Sequence, residues 1–216
     1  MKKVLLTGAS GGLGLTLASS LLEEGYFVYL QFCQNKEKLL PLVEKYKEKC
    51  ALIEADFTCD ESVQNFLLEV KKKDINILIN NAAIEHLSPL EEKTKETFLK
   101  VLEVNTLVPF FLLKELISDV DEVVNISSDN AIDKYDMVSL EYDVSKVSLN
   151  MLGHEFAREY PDKKINTLCF GWLDTPMNDF PDDIKEKLSF VSLDKATQKV
   201  LEYINTDKTD EIEVVR

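Results

Sequence analysis

Seven short, mostly apolar runs punctuate the chain: Val4–Thr7, Phe27–Phe32, Ala51–Glu54, Ile75–Asn80, Glu122–Ser127, Ile165–Phe170 and Glu211–Val215. Between them apolar positions recur at helical spacing, over Leu13–Glu24, Lys36–Lys49, Asp60–Lys72, Glu92–Ser118, Leu140–Tyr160 and Asp194–Ile204. The short runs predict strands and the longer stretches predict helices. Strands that are apolar along nearly their whole length are buried on both faces, and an intervening helix lets neighbours run parallel. The expected class is therefore α/β, a three-layer, doubly wound parallel β-sheet with right-handed crossovers. Its ligand crevice would lie beyond the carboxyl ends of the strands. No repeat, low-complexity tract or linker interrupts the pattern, so residues 1–216 read as a single domain.

Composition narrows the function. A length of 216 residues suits one sizeable core. The formal net charge of −14 argues against a nucleic-acid partner, which needs a basic patch. The apolar run after Met1-Lys2-Lys3 is too short for a secretory signal, and no stretch approaches the ~20 apolar residues of a membrane span. Cys33, Cys50, Cys59 and Cys169 are scattered without a CxxC pair, which fits reduced thiols in a cytoplasmic protein. The two histidines, His86 and His154, have no partners at metal-ligand spacing, so no metal is expected.

The first strand runs into Thr7-Gly8-Ala9-Ser10-Gly11-Gly12-Leu13-Gly14, which holds four of the seven glycines and opens a helix. Backbone N–H groups at such a turn can approach a pyrophosphate closely. Polar residues then follow the other strands: Asp56-Phe57, Asn80-Asn81-Ala82-Ala83, Ser127-Ser128, and Gly171-Trp172-Leu173-Asp174-Thr175-Pro176. Asn105 sits inside a long helix between apolar neighbours, where Asn is a poor helix former. Tyr142 and Lys146 stand four apart, so one helix face presents both. A free Tyr titrates near pH ~10, too high for easy proton exchange at neutral pH, and a nearby ammonium should pull it down.

These motifs, in this order from about Lys3 to Met177, resemble the short-chain dehydrogenase/reductase family: a TGxxxGxG loop, NNA, a helix Asn, a Ser, a YxxxK pair and a glycine turn. The resemblance implies a Rossmann fold and hydride exchange between NAD(P) and a carbonyl or secondary alcohol. It casts Tyr142 as general acid/base and Ser128 as the holder of the substrate oxygen. Lys146 would bind the cofactor ribose, and Asn105 would complete a proton relay through water. The cofactor-binding set would comprise Thr7, Gly8, Ser10, Gly12, Leu13 and Gly14 of the loop, and Phe32, Asn35 and Lys36 after strand two. Asp56, Phe57, Asn81 and Ala82 join it, with Tyr142, Lys146, Gly171, Leu173 and Thr175.

Several positions depart from the family pattern. Ala83 replaces the glycine of NNAG, Phe170 the usual proline, and Gly11 the basic residue common in NADP-dependent members. The lid segment Asn178–Leu193 is short, and little follows the last strand. At the end of strand two, where NAD enzymes carry a carboxylate, stands Phe32, with Asn35 and Lys36 nearby to accept a 2′-phosphate. The reading is NADP, with NAD as the alternative.

A second reading is a non-catalytic dinucleotide sensor on the same fold, although such a protein would be expected to lose the Tyr or Lys. Within the enzyme class the alternative is a 3-oxoacyl-carrier-protein reductase. The acidic loop of Asp129, Asp133, Asp136 and Glu141, against Lys134 alone, would repel an acidic carrier. The expected partner is a small carbonyl or alcohol substrate. A homodimer is expected on the helices Glu92–Ser118 and Leu140–Tyr160, whose Phe98, Leu102, Phe110 and Leu113 offer excess apolar surface, with a tetramer possible.

Overall fold

Alternation along the strands feeds two cores, one on each face of the sheet. Val4, Leu6, Ile77, Ile79, Val124 and Leu168 point to one side, and Leu5, Leu78, Val123 and Ile165 to the other. All are buried, so neither face is left wet. The computed structural model describes residues 1–134, 136–175, 177 and 188–216. Its seven strands are β1 (Lys3–Leu6), β2 (Phe27–Phe32), β3 (Cys50–Glu54), β4 (Ile77–Asn80), β5 (Glu122–Ser128), β6 (Lys164–Phe170) and β7 (Ile212–Val215). They form one sheet in the order β3-β2-β1-β4-β5-β6-β7, every pair parallel. The order reverses between β1 and β4, which opens a crevice at their carboxyl ends.

Helices α1 (Gly12–Glu23), α2 (Leu40–Tyr46) and α7 (Leu193–Tyr203) cover the first face, through Leu17, Leu21, Val200 and Tyr203 among others. The second face carries α3 (Asp60–Val70), α4 (Lys95–Leu102), α5 (Val108–Leu116) and α6 (Leu140–Glu159), which bury Phe66, Leu112, Leu116 and Ala157. α6 lies close to the sheet at Gly153, where an added Cβ would come within 2.8 Å of Asn125 Nδ2 and of Thr167 Oγ1. Among the described residues no helix is long and apolar enough to cross a membrane.

Two expected helices are interrupted. The stretch Lys36–Lys49 divides into a 3₁₀ turn at Lys36–Lys38, α2, and a second 3₁₀ turn at Lys47–Lys49. Pro41 is the cause of the first break, since it sits comfortably only in a helix's first turn. The stretch Glu92–Ser118 starts instead at the Thr94 cap, which trades hydrogen bonds with Thr97, and widens into a π-turn at Glu103–Leu107 between α4 and α5. Pro109 lies four residues after Asn105 and has no N–H to give its carbonyl, so a regular ladder cannot continue there.

The glycine turn is the tightest backbone approach in the fold. Gly8 takes φ +65°, and a Cβ there would lie 2.8 Å from Ala82 Cα. At Gly14 a Cβ would lie 2.1 Å from the Gly8 carbonyl oxygen, whereas at Gly11 its nearest neighbour is 3.4 Å away. Gly14→Ala is therefore expected to cost ~1–3 kcal/mol by overpacking and to weaken nucleotide binding. Gly11→Ala should leave stability within ~0.5 kcal/mol of wild type. Urea melts of the two variants check this, and equal midpoints would refute it.

Candidate active site

A cleft of about 970 Å³ opens at the carboxyl ends of the strands. At one end lies the start of α1, whose cap residue Gly11 makes no side-chain capping bond, leaving N–H groups for an anion. Gly8, Ser10, Gly12, Leu13 and Gly14 line this end as expected. Asn81 holds the turn in place: its Nδ2 donates to the Thr7 carbonyl at 2.8 Å and the Gly8 carbonyl at 3.1 Å. Thr175 crosses over the turn, close enough that a Cβ at Gly12 would meet its Cγ2 at 2.6 Å. This cradle suits a dinucleotide phosphate, which needs backbone approach rather than side-chain contact. Asn35, Asp56, Phe57, Ala82, Gly171 and Leu173 also reach the cleft wall.

Four expected positions do not line it. Thr7 is 2% exposed, and its hydroxyl accepts from the Asn81 and Ala82 N–H groups, which makes it a strut between β1 and β4. Phe32 packs into the core, because strand alternation turns Gln31 and Cys33 toward the cleft instead. Lys36 is exposed on the 3₁₀ turn, and Lys38, two residues on, takes its place at the cleft. Asn105 is fully buried: its Oδ1 accepts from Ile84 N at 2.9 Å, while its Nδ2 donates to the Ile84 carbonyl at 2.8 Å and to Ser145 Oγ at 2.9 Å. It thus clamps the loop after β4 to α6.

Gln31, which belongs to none of the expected motifs, also lines the cleft. Its Oε1 accepts from Gly8 N at 2.7 Å and its Nε2 donates to the Ala55 carbonyl at 2.9 Å, bracing the glycine turn against β3. A lone amide in the apolar strand Phe-Val-Tyr-Leu-Gln-Phe was the available signal.

Ser128, Tyr142 and Lys146 converge on the other part of the wall. Ser128 ends β5, and the other two lie one turn apart near the start of α6. Lys146 Nζ stands 5.4 Å from the Tyr142 ring centroid and donates to the Ile126 carbonyl at 2.8 Å. The expected lowering of the Tyr142 phenol is reversed. Burial raises it well above its ordinary value, the Glu85 carboxylate adds to this, and hydrogen bonding with Ser128 opposes it only in part. Burial likewise pushes the Lys146 ammonium down, from 10.5 to about 8.

The acidic loop is not an acidic surface. Glu141 is fully buried and pairs with Lys93. Asp129 is 3% exposed and meets Lys134 at 3.1 Å and Arg216 at 3.2 Å, while Asp133 pairs with the same Arg216. Most of its charge is paired within the protein, the exposed Asp136 excepted, which weakens the ground for excluding an acidic carrier. Apolar side chains of Ile84, Leu87, Val138, Trp172 and Met177 complete the cleft near Tyr142. Pro176 and residues 178–187 of the expected lid lie outside the described residues. Among those residues no group of three or more His, Cys, Asp or Glu side chains could hold a metal ion.

The family model for short chain dehydrogenases matches residues 2–184. The chain is 28% identical over 215 residues to a benzil reductase ((S)-benzoin forming) of Bacillus cereus, covering 90% of this chain and 84% of that one. It is also 28% identical over 190 residues to 3beta-hydroxysteroid dehydrogenase 1 of Eggerthella lenta, covering 82% and 72%. An alcohol dehydrogenase from the archaeon Thermococcus sibiricus, solved with 5-hydroxy-NADP, superposes with a TM-score of 0.86 at 25% identity, covering 100% of this chain and 96% of that one.

Buried Lys146 has a consequence for stability. Its folded value of about 8 against 10.5 when free means that the protonated side chain costs the folded state about 3 kcal/mol. This cost is full below pH 8 and fades as pH rises to 10.5, where the lysine is neutral in both states. Lys146→Met should therefore stabilise the cofactor-free protein at pH 7 by ~1–2 kcal/mol, the lost bond to the Ile126 carbonyl offsetting the rest. By pH 10.5 the gain should give way to a small loss, since the missing bond to Ile126 then has nothing to offset it. Denaturant melts of both proteins at the two pH values measure it, and a destabilised variant at pH 7 would refute it.

Proposed function

The chain belongs to the short-chain dehydrogenase family and is an NAD(P)-dependent oxidoreductase, and we propose that it reduces a small ketone or aldehyde to the alcohol. The observation that carries this reading is the convergence of Ser128, Tyr142 and Lys146 on the wall of a cleft whose far end is the uncapped glycine turn. The nicotinamide supplies the hydride when bound. Ser128 donates a hydrogen bond to the substrate oxygen. Tyr142, kept protonated by its burial, gives that oxygen its proton. Lys146 holds the cofactor ribose and passes a proton back toward the phenol. Asn105 positions this assembly by fixing Ile84 and Ser145.

Tyr142→Phe keeps the ring and removes the proton. It should leave the melting temperature and cofactor affinity near wild type and lower turnover by ~100-fold or more. Cofactor consumption with a panel of ketones and aldehydes measures this, and wild-type turnover in a single-turnover assay would sink the assignment.

The proposed cofactor is NADPH. Supporting it, the cleft beyond β2 presents Cys33, Gln34 and Asn35 where an NAD enzyme would carry a carboxylate, with Lys38 beside them. NADPH should bind more tightly than NADH. Lys38→Glu should narrow or invert the ratio, and Lys36→Glu should leave it unchanged. Fluorescence titration of the bound cofactor decides, a clear wild-type preference for NADH being the contrary result.

We also propose a homodimer. Leu113 is wholly buried within one subunit and contributes nothing to it, but Leu99, Leu107, Val144, Val147 and Met151 leave an exposed apolar face on α4, the π-turn and α6. Two-fold pairing would bury this face. Light scattering should give twice the chain mass of 24.6 kDa, and a tetramer would overturn the proposal.

A further inference from the structure

Five carboxylates line the cleft among the described residues, and four of them are engaged by the protein itself. Asp56 accepts from the Thr58 N–H and hydroxyl, both at 2.8 Å. Asp129 meets Lys134 and Arg216, and Asp133 pairs with Arg216. Asp136 accepts from Val138 N at 3.0 Å. The fifth, Glu85, is partly buried and has no hydrogen bond or ion pair with any described residue.

Its place is fixed rather than loose. The preceding residue, Ile84, is held through both its N–H and its carbonyl by the buried Asn105 amide, so the backbone that carries Glu85 is anchored to the helical layer. It lines the same cleft as Tyr142, and of the carboxylates that act on that phenol Glu85 acts most strongly. A half-buried carboxyl without a protein partner has lost part of its solvation uncompensated, and burial raises its proton affinity. An anionic substrate would be repelled there. A neutral hydroxyl would restore a hydrogen bond but leave the charge unbalanced, whereas an ammonium group restores both. The chain's net charge of −14 also draws cations toward the cleft.

We infer that the substrate carries a protonated amine beside its carbonyl group, and that the Glu85 carboxylate binds that amine. The inference rests on the reductase reading above, so its test is arranged to fail separately. Three aryl ketones serve as probes: 3-amino-1-phenylpropan-1-one, its neutral isostere butyrophenone, and the slightly larger, anionic 3-benzoylpropionate. Binding of each to the protein saturated with NADP⁺ is measured by titration calorimetry, for wild type and for Glu85→Gln. The variant preserves size, and its melting temperature and NADP⁺ affinity serve as controls for the fold.

The amino ketone should bind wild type at least tenfold more tightly than butyrophenone, and 3-benzoylpropionate should bind most weakly. In Glu85→Gln the tenfold preference should fall to within about threefold. Equal wild-type affinities for the amino and neutral ketones would overturn the inference. A preference that survives Glu85→Gln would do the same. Turnover of the panel, read separately as cofactor consumption, bears on the reductase reading alone.

Discussion

Where the strand order reverses, β1 and β4 are laced together by side chains rather than by ladder bonds alone. The Thr7 hydroxyl takes the N–H groups of Asn81 and Ala82, and the Asn81 amide returns bonds to the carbonyls of Thr7 and Gly8. Gly8 and Gly14 permit the lacing, since a methyl at either position would drive into backbone. The crevice depends on this junction. It turns the start of α1 toward the cleft, and it begins the loop that carries Ile84 and Glu85 past Asn105. A buried parallel sheet has no wet face on which to build chemistry, so polar groups gather at its rim.

Burial governs the electrostatics of that rim more than pairwise attraction does. Tyr142 and Lys146 are neighbours, yet each is pushed toward its neutral form, the phenol up and the ammonium down. Desolvation disfavours both charges and is the largest influence on each. Both groups are thereby held toward their neutral forms, a phenol that keeps its proton and a lysine that gives its proton up more readily. The same principle sorts the carboxylates. Asp129 and Glu141 are buried with cations at hand, whereas Glu85, alone among the described carboxylates of the cleft, has no partner in the protein.

Much of this was legible in the residues themselves. Mostly apolar runs located all seven strands, because a strand covered on both faces carries few polar positions. The glycine turn, Ser128 and the Tyr142–Lys146 pair could be placed because their chemistry depends on short spacings, four residues on a helix or a turn after a strand. The break at Pro41 and the π-turn before Pro109 were also written locally, in a missing N–H, though periodicity masked them. Strand alternation could have favoured Cys33 over Phe32, and the isolated amide of Gln31 could have marked its role.

Other features belong to the tertiary structure alone. Nothing near Asn105 in the chain points to Ile84 or Ser145, and nothing near Asp129 points to Arg216, 87 residues away. The internal neutralisation of the acidic loop, the replacement of Lys36 by Lys38 at the cleft and the isolation of Glu85 likewise emerge only when distant segments meet. Spacing along a chain fixes which groups share a face. Which charges are cancelled, and which proton affinities burial shifts, depends on neighbours and on solvent exclusion that only the packed fold supplies.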